Sequence, residues 1–249
     1  MPDALGSVTG NKFPPTRPSV VVDVKSENRE TRTRAFGVLI QAYWKPVYGY
    51  LRLKWTKNRD EAEDLTQEFF LQAMERGFFE RFAPGRSRFR TFLRTCLDGF
   101  VANDIRAAGR IKRGGEVTFL SLDFAGAESD LAPVGSVAGD MDAYFHQEWV
   151  RSLFTMAVDS LRAHCEAAGK PIPFALFQRH DMEIPEGSDP PSYRELAGEF
   201  GLPVTQVTNH LAYARREFRR IVLARLRELT ANDDEFRDEA ESLLGVRPL

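Results

Sequence analysis

Two clusters of opposite charge follow one another in the first half of the chain. The earlier cluster is acidic and combines carboxylates with one amide: Asp60, Glu61, Glu63, Asp64, Gln67 and Glu68. The later cluster sets eight cations against two acids, Asp98 and Asp104, and its cations are Arg86, Arg88, Arg90, Arg94, Arg106, Arg110, Lys112 and Arg113. The acidic cluster suits a basic protein surface, whereas the basic cluster suits the phosphates of a nucleic acid.

Aromatic residues alternate with arginines at the start of the basic cluster. Phe89 and Phe92 lie beside Arg88 and Arg90, and aromatic rings among cations are typical of surfaces that stack on unpaired bases. The same rings could equally belong to a hydrophobic core. We expect Phe89 to be a core residue, and the sequence leaves both interpretations open for Phe92.

A third segment, from Ser192 to Phe218, has the spacing of a helix-turn-helix. Ser192 and Glu195 form a capping box at the start of a helix, and Ala197 is small where two helices must approach closely. Gly201 suits a turn that requires positive φ, and Pro203 suits the first turn of the next helix. The spacing therefore predicts two short helices joined by a tight turn.

The outward face of the second of these helices carries hydrogen-bonding side chains, followed by cations. The side chains expected to read bases or phosphates are Thr205, Gln206, Thr208, Asn209, Tyr213, Arg215, Arg216, Arg219 and Arg220. Solvated surface arginines would be the simpler interpretation of the charge run alone. The helix-turn-helix spacing directly upstream favours DNA binding instead.

Other chemistries lack the residues they need. The four histidines are scattered, and the neighbouring His164 and Cys165 cannot form a metal site without further ligands. We expect Cys96 to lie in the core. The chain has no phosphate-binding loop of the P-loop type, and its carboxylate pairs lie on a solvated helix face. The sequence therefore predicts no metal, no cofactor and no catalytic site.

The periodicity that positions these residues is helical throughout, which predicts an all-α fold of two helical domains joined by a flexible linker. A helix with a kink or a break at Pro46 should begin near Thr31. A second helix should begin at Asn58, with Glu61 completing its cap, and should stop at Gly77. A third should follow the turn at Pro84 and Gly85, with Phe89, Leu93, Cys96, Leu97, Phe100 and Ile105 facing inward.

Composition divides the 249 residues into five segments. They are a disordered arm (1–28), a first helical domain (29–113), an acidic extended linker (114–142), a helix-turn-helix domain (143–228) and an acidic C-terminal extension (229–249). No Lys or Arg occurs between Arg113 and Arg151. Without a long apolar run we expect neither a signal peptide nor a membrane span, and we expect a cytoplasmic protein.

The order of these motifs resembles that of bacterial sigma factors. The acidic run from Asp60 to Leu71 resembles their polymerase-binding helix, and Phe89 to Arg94 with the basic tract to Arg113 resembles their promoter-melting segment. With the C-terminal helix-turn-helix, the layout over 31–228 is similar to the extracytoplasmic-function group.

The resemblance implies a role for each cluster. Asp60, Glu61, Asp64, Gln67 and Glu68 would dock on core RNA polymerase. The loop from Pro84 to Arg88, with Ser87, and the start of the next helix would hold a flipped base of the minus-10 element. The recognition helix would read the minus-35 element in the major groove, although Thr208 and His210 stand where Lys and Arg are frequent. An anti-sigma factor or a regulatory kinase would be a further partner.

Some relatives lack the acidic docking residues and depend on threonine phosphorylation instead. The acids are present here, so we expect that Thr66 need not be modified. Two other functions remain open: a helix-turn-helix repressor or activator that never contacts polymerase, and a small-molecule enzyme. The first leaves the acidic cluster unexplained, and the second has no catalytic constellation to support it.

Overall fold

The computed structural model describes residues 19–107, 122–131, 140–185 and 187–245, and these residues are helical with no strand among them. The predicted all-α class is confirmed. The helices are α1 (Val20–Asp23), α2 (Arg29–Leu53), α3 (Arg59–Glu75), α4 (Phe89–Ala107), α5 (Phe124–Leu131), α6 (Met141–Ala167), α7 (Pro171–Phe177), α8 (Tyr193–Phe200), α9 (Val204–Leu229) and α10 (Asp233–Leu244). In the described part of the chain, no helix combines the length and the apolar character that crossing a bilayer requires.

The first helix of the predicted domain passes through Pro46 without a break. Proline removes one backbone donor and crowds the preceding turn, but Tyr43, Val47 and Tyr50 around it are buried. Packing on several sides of α2 therefore outweighs the local cost of the proline. Of the two outcomes expected at Pro46, a kink or a break into abutting helices, the break is wrong, because α2 is one helix of 25 residues.

The boundaries of α3 follow the local signals in the sequence. Asn58 accepts a hydrogen bond from the Glu61 backbone, and the Glu61 side chain accepts one from the Asn58 backbone, which completes the predicted capping box. Gly77 follows the helix at φ 61°, a conformation that favours glycine. The inward stripe of α3 is buried as predicted: Ala62, Leu65, Phe69 and Ala73.

One hydrophobic core runs from α1 to α10, and α6 lies at its centre between α2 and α9. The ring of Tyr43 on α2 stacks at 6.5 Å on both Phe145 and Trp149 of α6. Tyr50 meets Phe145 edge to face at 5.7 Å. The helices on either side of the predicted linker therefore pack together in the free chain, a point that the sequence left open.

Two segments predicted to lack structure contain helices. Within the predicted linker, α5 lays Phe124 against Trp44 and Tyr48 of α2, each at 5.3 Å between ring centroids. Within the predicted N-terminal arm, the α1 residues Val20 and Val21 are buried. In both segments a short helix packs apolar side chains against longer helices. The prediction of an extended or disordered conformation is therefore wrong for these stretches. The remainder of the arm (1–18) and of the linker (114–121 and 132–139) lies outside the described residues.

Candidate functional site

The acidic residues of α3 form a ridge opposite its buried stripe. We use the name acidic ridge for its exposed members Asp60, Glu61, Asp64, Gln67 and Glu68. Because side chains three and four residues apart share one face of a helix, the ridge presents its carboxylates together. Glu61 also holds the helix cap, and Glu68 accepts a hydrogen bond of 2.8 Å from Gln72. The ridge is a preformed anionic surface on a rigid element.

Thr66 lies beneath the ridge and not on it. Its side chain is fully buried, and its hydroxyl donates a 2.6 Å hydrogen bond to the backbone carbonyl of Ala62. A phosphate group on this oxygen would need space and solvent that the buried face of α3 does not offer.

The basic cluster begins in an exposed loop and continues along α4. Arg86, Ser87 and Arg88 are exposed, whereas the side chains of Arg90 and Arg94 are only 12% and 20% exposed. Arg106 is helical at the end of α4, and nothing further is described of its side chain. Arg110, Lys112 and Arg113 lie outside the described residues, so their predicted role is not examined by the structure.

The arginines of this cluster are paired with acids from the C-terminal half of the chain. The terminal Nη1 nitrogens of Arg88 and Arg90 both lie 2.6 Å from Oε1 of Glu239 on α10. Arg94 pairs with Asp142 at the start of α6. The guanidinium of Arg90 also lies over the ring of Trp149, 4.9 Å from its centroid. No local motif indicated that Glu239, Asp142 or Trp149 would share a site with the basic cluster.

The aromatic residues of α4 divide between core and surface. Phe89 is fully buried, as expected. Phe92 is partly buried, packs on Phe82 at 5.3 Å and also lines a groove of about 490 Å³ between α3 and α4. Cys96 lines the same groove, where burial raises the pKa of its thiol to about 11. The thiol is therefore protonated at neutral pH, and it is half-buried instead of lying fully in the core as predicted.

Ile105 was predicted to face inward, and that prediction is wrong because it is 51% exposed near the end of α4. Among the described residues, the apolar period of α4 continues past the part of the helix that is buried.

The helix-turn-helix forms as predicted around a small core of its own. Leu196, Val207 and Leu211 are fully buried and pack with Leu176 of α7. The capping box of Ser192 and Glu195 is present, and Gly201 adopts φ 63° between α8 and α9. Pro203 serves as the residue preceding α9 and not as a member of its first turn.

The predicted reading face of α9 is exposed over its first two turns. Thr205, Gln206, Thr208 and Asn209 all reach the surface. Arg216 and Arg219 are exposed about two and three turns after Asn209. These side chains lie on one element in the order expected for base contacts followed by phosphate contacts.

Two residues predicted to contact DNA also have partners within the chain. Tyr213 is half-buried, and its hydroxyl lies 3.2 Å from Nε2 of His164 on α6. Arg215 donates hydrogen bonds of 2.6 and 2.9 Å to the Asp181 carboxylate and one of 3.1 Å to the Tyr193 hydroxyl. Its bonds to Asp181 raise the pKa of the Arg215 guanidinium above its ordinary value. Arg215 therefore links α9 to Asp181 and Tyr193 at the surface of the helix-turn-helix, a role that sequence spacing could not distinguish from phosphate binding.

Comparison with known protein families gives a match over part of the chain. Searches of curated proteins and of solved structures found no match. A sequence model of the family Sigma-70 region 2 matches residues 39–111, which include the acidic ridge and all of the basic cluster up to Arg110. In this part of the chain, the protein is similar to region 2 of the sigma-70 factors.

Proposed function

We propose that this chain is a sigma factor that binds core RNA polymerase and directs promoter recognition and melting. The observation that carries the proposal is the Sigma-70 region 2 match over 39–111. The matched segment holds an exposed anionic helix and a cationic one, which supports two partners of opposite charge on one domain. The factor is non-enzymatic and acts in the cytoplasm, where polymerase and template are found.

The acidic ridge is the proposed polymerase-binding surface. All five of its residues are exposed, and the capping box fixes the start of the helix that presents them. Fixed carboxylates favour a basic partner by electrostatic complementarity and disfavour acidic ones.

The basic cluster and α9 are the proposed DNA-binding surfaces. The loop with Arg86, Ser87 and Arg88 and the first turns of α4 would hold the minus-10 element once it is melted. The exposed residues of α9 would read the minus-35 element. The arrangement of two helical domains around the acidic linker belongs to the extracytoplasmic-function layout that we propose for the whole chain.

Charge reversal on the acidic ridge tests the proposal. Asp64→Arg should lower the affinity of the full chain for core polymerase by more than tenfold, because one exposed carboxylate of the ridge becomes a cation. Glu75→Arg is the matched control, since Glu75 is exposed on the same helix and lies outside the ridge. Gel filtration with core polymerase measures binding, and run-off transcription from a genomic promoter library measures the activity that depends on it. Circular dichroism verifies the fold of each variant.

Equal affinities of the Asp64→Arg and Glu75→Arg variants would contradict the assignment of the ridge. A wild-type chain that binds DNA but never core polymerase would favour the alternative, an autonomous helix-turn-helix repressor or activator. Such a protein would be expected to bind a palindromic site as a dimer.

A further inference from the structure

We propose that α10 is an internal cover for the DNA-binding arginines, with the Glu239 carboxylate occupying the place of a nucleic-acid phosphate. The inference rests on the proposed function, because it takes the basic cluster as a DNA-binding surface. It adds that in the free chain the C-terminal extension covers Arg90 and engages Arg88 at the same carboxylate, while Arg86 and Ser87 stay exposed.

The geometry at Glu239 is that of an anion held by two guanidinium groups. Arg88 and Arg90 converge on the same carboxylate oxygen at 2.6 Å, and the Glu239 side chain is only 1% exposed. Arginine pairs bind phosphate oxygens in the same charge-assisted manner. While Glu239 is in place, Arg90 is 12% exposed and cannot reach a phosphate in solvent.

A second carboxylate of α10 holds the start of its own helix. Glu235 precedes Glu239 by one turn, and its Oε2 accepts a 2.9 Å hydrogen bond from the backbone N–H of Ala231. Glu235 therefore fixes the helix that presents Glu239 to the arginine pair.

The contacts of α10 are typical of a helix that can detach from the core. Of its 12 residues only Glu239 and Ala240 are buried. Phe236 is half-buried beneath Arg227, whose guanidinium lies 4.7 Å from the ring centroid. The second oxygen of Glu239, Oε2, is buried without a hydrogen-bond partner among the described residues. Elements with few buried apolar groups open at the low end of the stability range, so release of α10 does not require unfolding of the core.

The experiment compares four forms of the full chain: wild type, Glu239→Gln, Arg90→Ala and the double variant. Fluorescence anisotropy measures binding to a labelled single-stranded 20-mer of mixed sequence at several salt concentrations. Glu239→Gln should raise the affinity at least fivefold. It should also steepen the salt dependence by up to ~1.4, since each phosphate contact on a single strand contributes about 0.7 to the slope. Asp238→Asn is the matched control, because it removes one exposed negative charge from the same helix and should change the affinity less than twofold.

The effect of Arg90→Ala should depend on Glu239. In the Glu239→Gln background it should lower the DNA affinity at least fivefold. In the wild-type background the loss should be smaller, because there Arg90→Ala also removes the ion pair with Glu239 and thereby weakens the cover. An equal loss in both backgrounds would refute the cover and leave the DNA-binding role of Arg90 intact. No loss in either background would refute both the cover and that role, while core-polymerase binding would test the rest of the proposed function separately.

Hydrogen exchange on the wild-type chain gives a measurement that needs no variant to fold. Saturating single-stranded DNA should speed amide exchange over residues 233–244 at least tenfold while α2 stays protected. Unchanged exchange in α10 with DNA bound would overturn the proposal.

Discussion

The packing of α6 on α2 depends on a glycine, and replacing Gly49 with alanine tests how firmly the two helices are held. A Cβ at this position would lie 1.9 Å from the hydroxyl oxygen of Tyr144 and 2.9 Å from its Cζ. Ordinary contact begins near 3.4 Å, so the phenol must retreat by about 1.5 Å. Tyr144 is only 2% exposed, and therefore α6 itself must shift.

Two opposing effects set the size of the change. Alanine gains roughly 0.5–1 kcal/mol over glycine in a helix interior, whereas overpacking a tight contact costs roughly 1–3 kcal/mol. Gly49→Ala should therefore lower the free energy of unfolding by up to about 2.5 kcal/mol. For a chain of this size each kcal/mol corresponds to a fall of about 2–4 °C in Tm.

Gly37→Ala is the matched control, because Gly37 lies in the same helix and a Cβ there would meet nothing within 4 Å. It should gain the helix propensity alone and raise the stability by roughly 0.5–1 kcal/mol. Urea denaturation followed by circular dichroism measures both variants. If Gly49→Ala is as stable as Gly37→Ala, then Tyr144 of α6 does not lie against Gly49 of α2 in solution.

The remaining predictions concern α9 and α5. Asn209→Ala should cost ~1–3 kcal/mol of DNA-binding free energy at one base position, whereas Arg216→Ala should weaken binding to every sequence and lower the salt slope by about one unit. Fluorescence anisotropy with a set of duplexes measures both. Equal losses on all sequences for both variants would contradict the assignment of Asn209 to base contacts and Arg216 to phosphate contacts. Arg215→Ala should lower the Tm, because it removes the hydrogen bonds from Arg215 to Asp181 and Tyr193. An unchanged Tm together with weaker DNA binding would show that Arg215 contacts phosphate. Hydrogen bonds from Arg52 and Tyr48 lower the pKa of Glu128 from 4.5 to about 2. A depressed carboxyl pKa adds stability above pH 4.5 that is lost as the pH falls toward 2. Glu128→Gln should therefore make the free energy of unfolding less dependent on pH in this range. An unchanged pH dependence in acid titrations would show that the hydrogen bonds of Glu128 do not form.

Features encoded within a few residues were predictable from the sequence. The capping boxes at Asn58 and Ser192 and the glycine at 201 each depend on neighbours in the chain, so residue type and spacing are sufficient. The buried stripe of α3 follows in the same way, because the helical period alone determines which side chains share a face.

Contacts between distant segments were not predictable. Arg90 and Glu239 are 149 residues apart, and Glu239 is one of many acids in an acidic extension. The sequence around an arginine does not show whether the arginine forms an ion pair with a carboxylate from a distant part of the chain. The same limit explains Arg215, whose partner Asp181 lies 34 residues upstream, and α5, whose Phe124 finds its place only against rings of α2.

The closed arrangement cannot serve both proposed promoter elements at once. Elements centred about 25 base pairs apart lie ~85 Å from each other at ~3.4 Å per pair, whereas α2, α6 and α9 share one core and packed helices lie only about 8–10 Å apart. A fully extended linker over 114–142 spans roughly 95 Å, which is sufficient. Promoter binding by both DNA surfaces therefore requires α6 to leave α2, so Gly49→Ala, which weakens that contact, should speed open-complex formation.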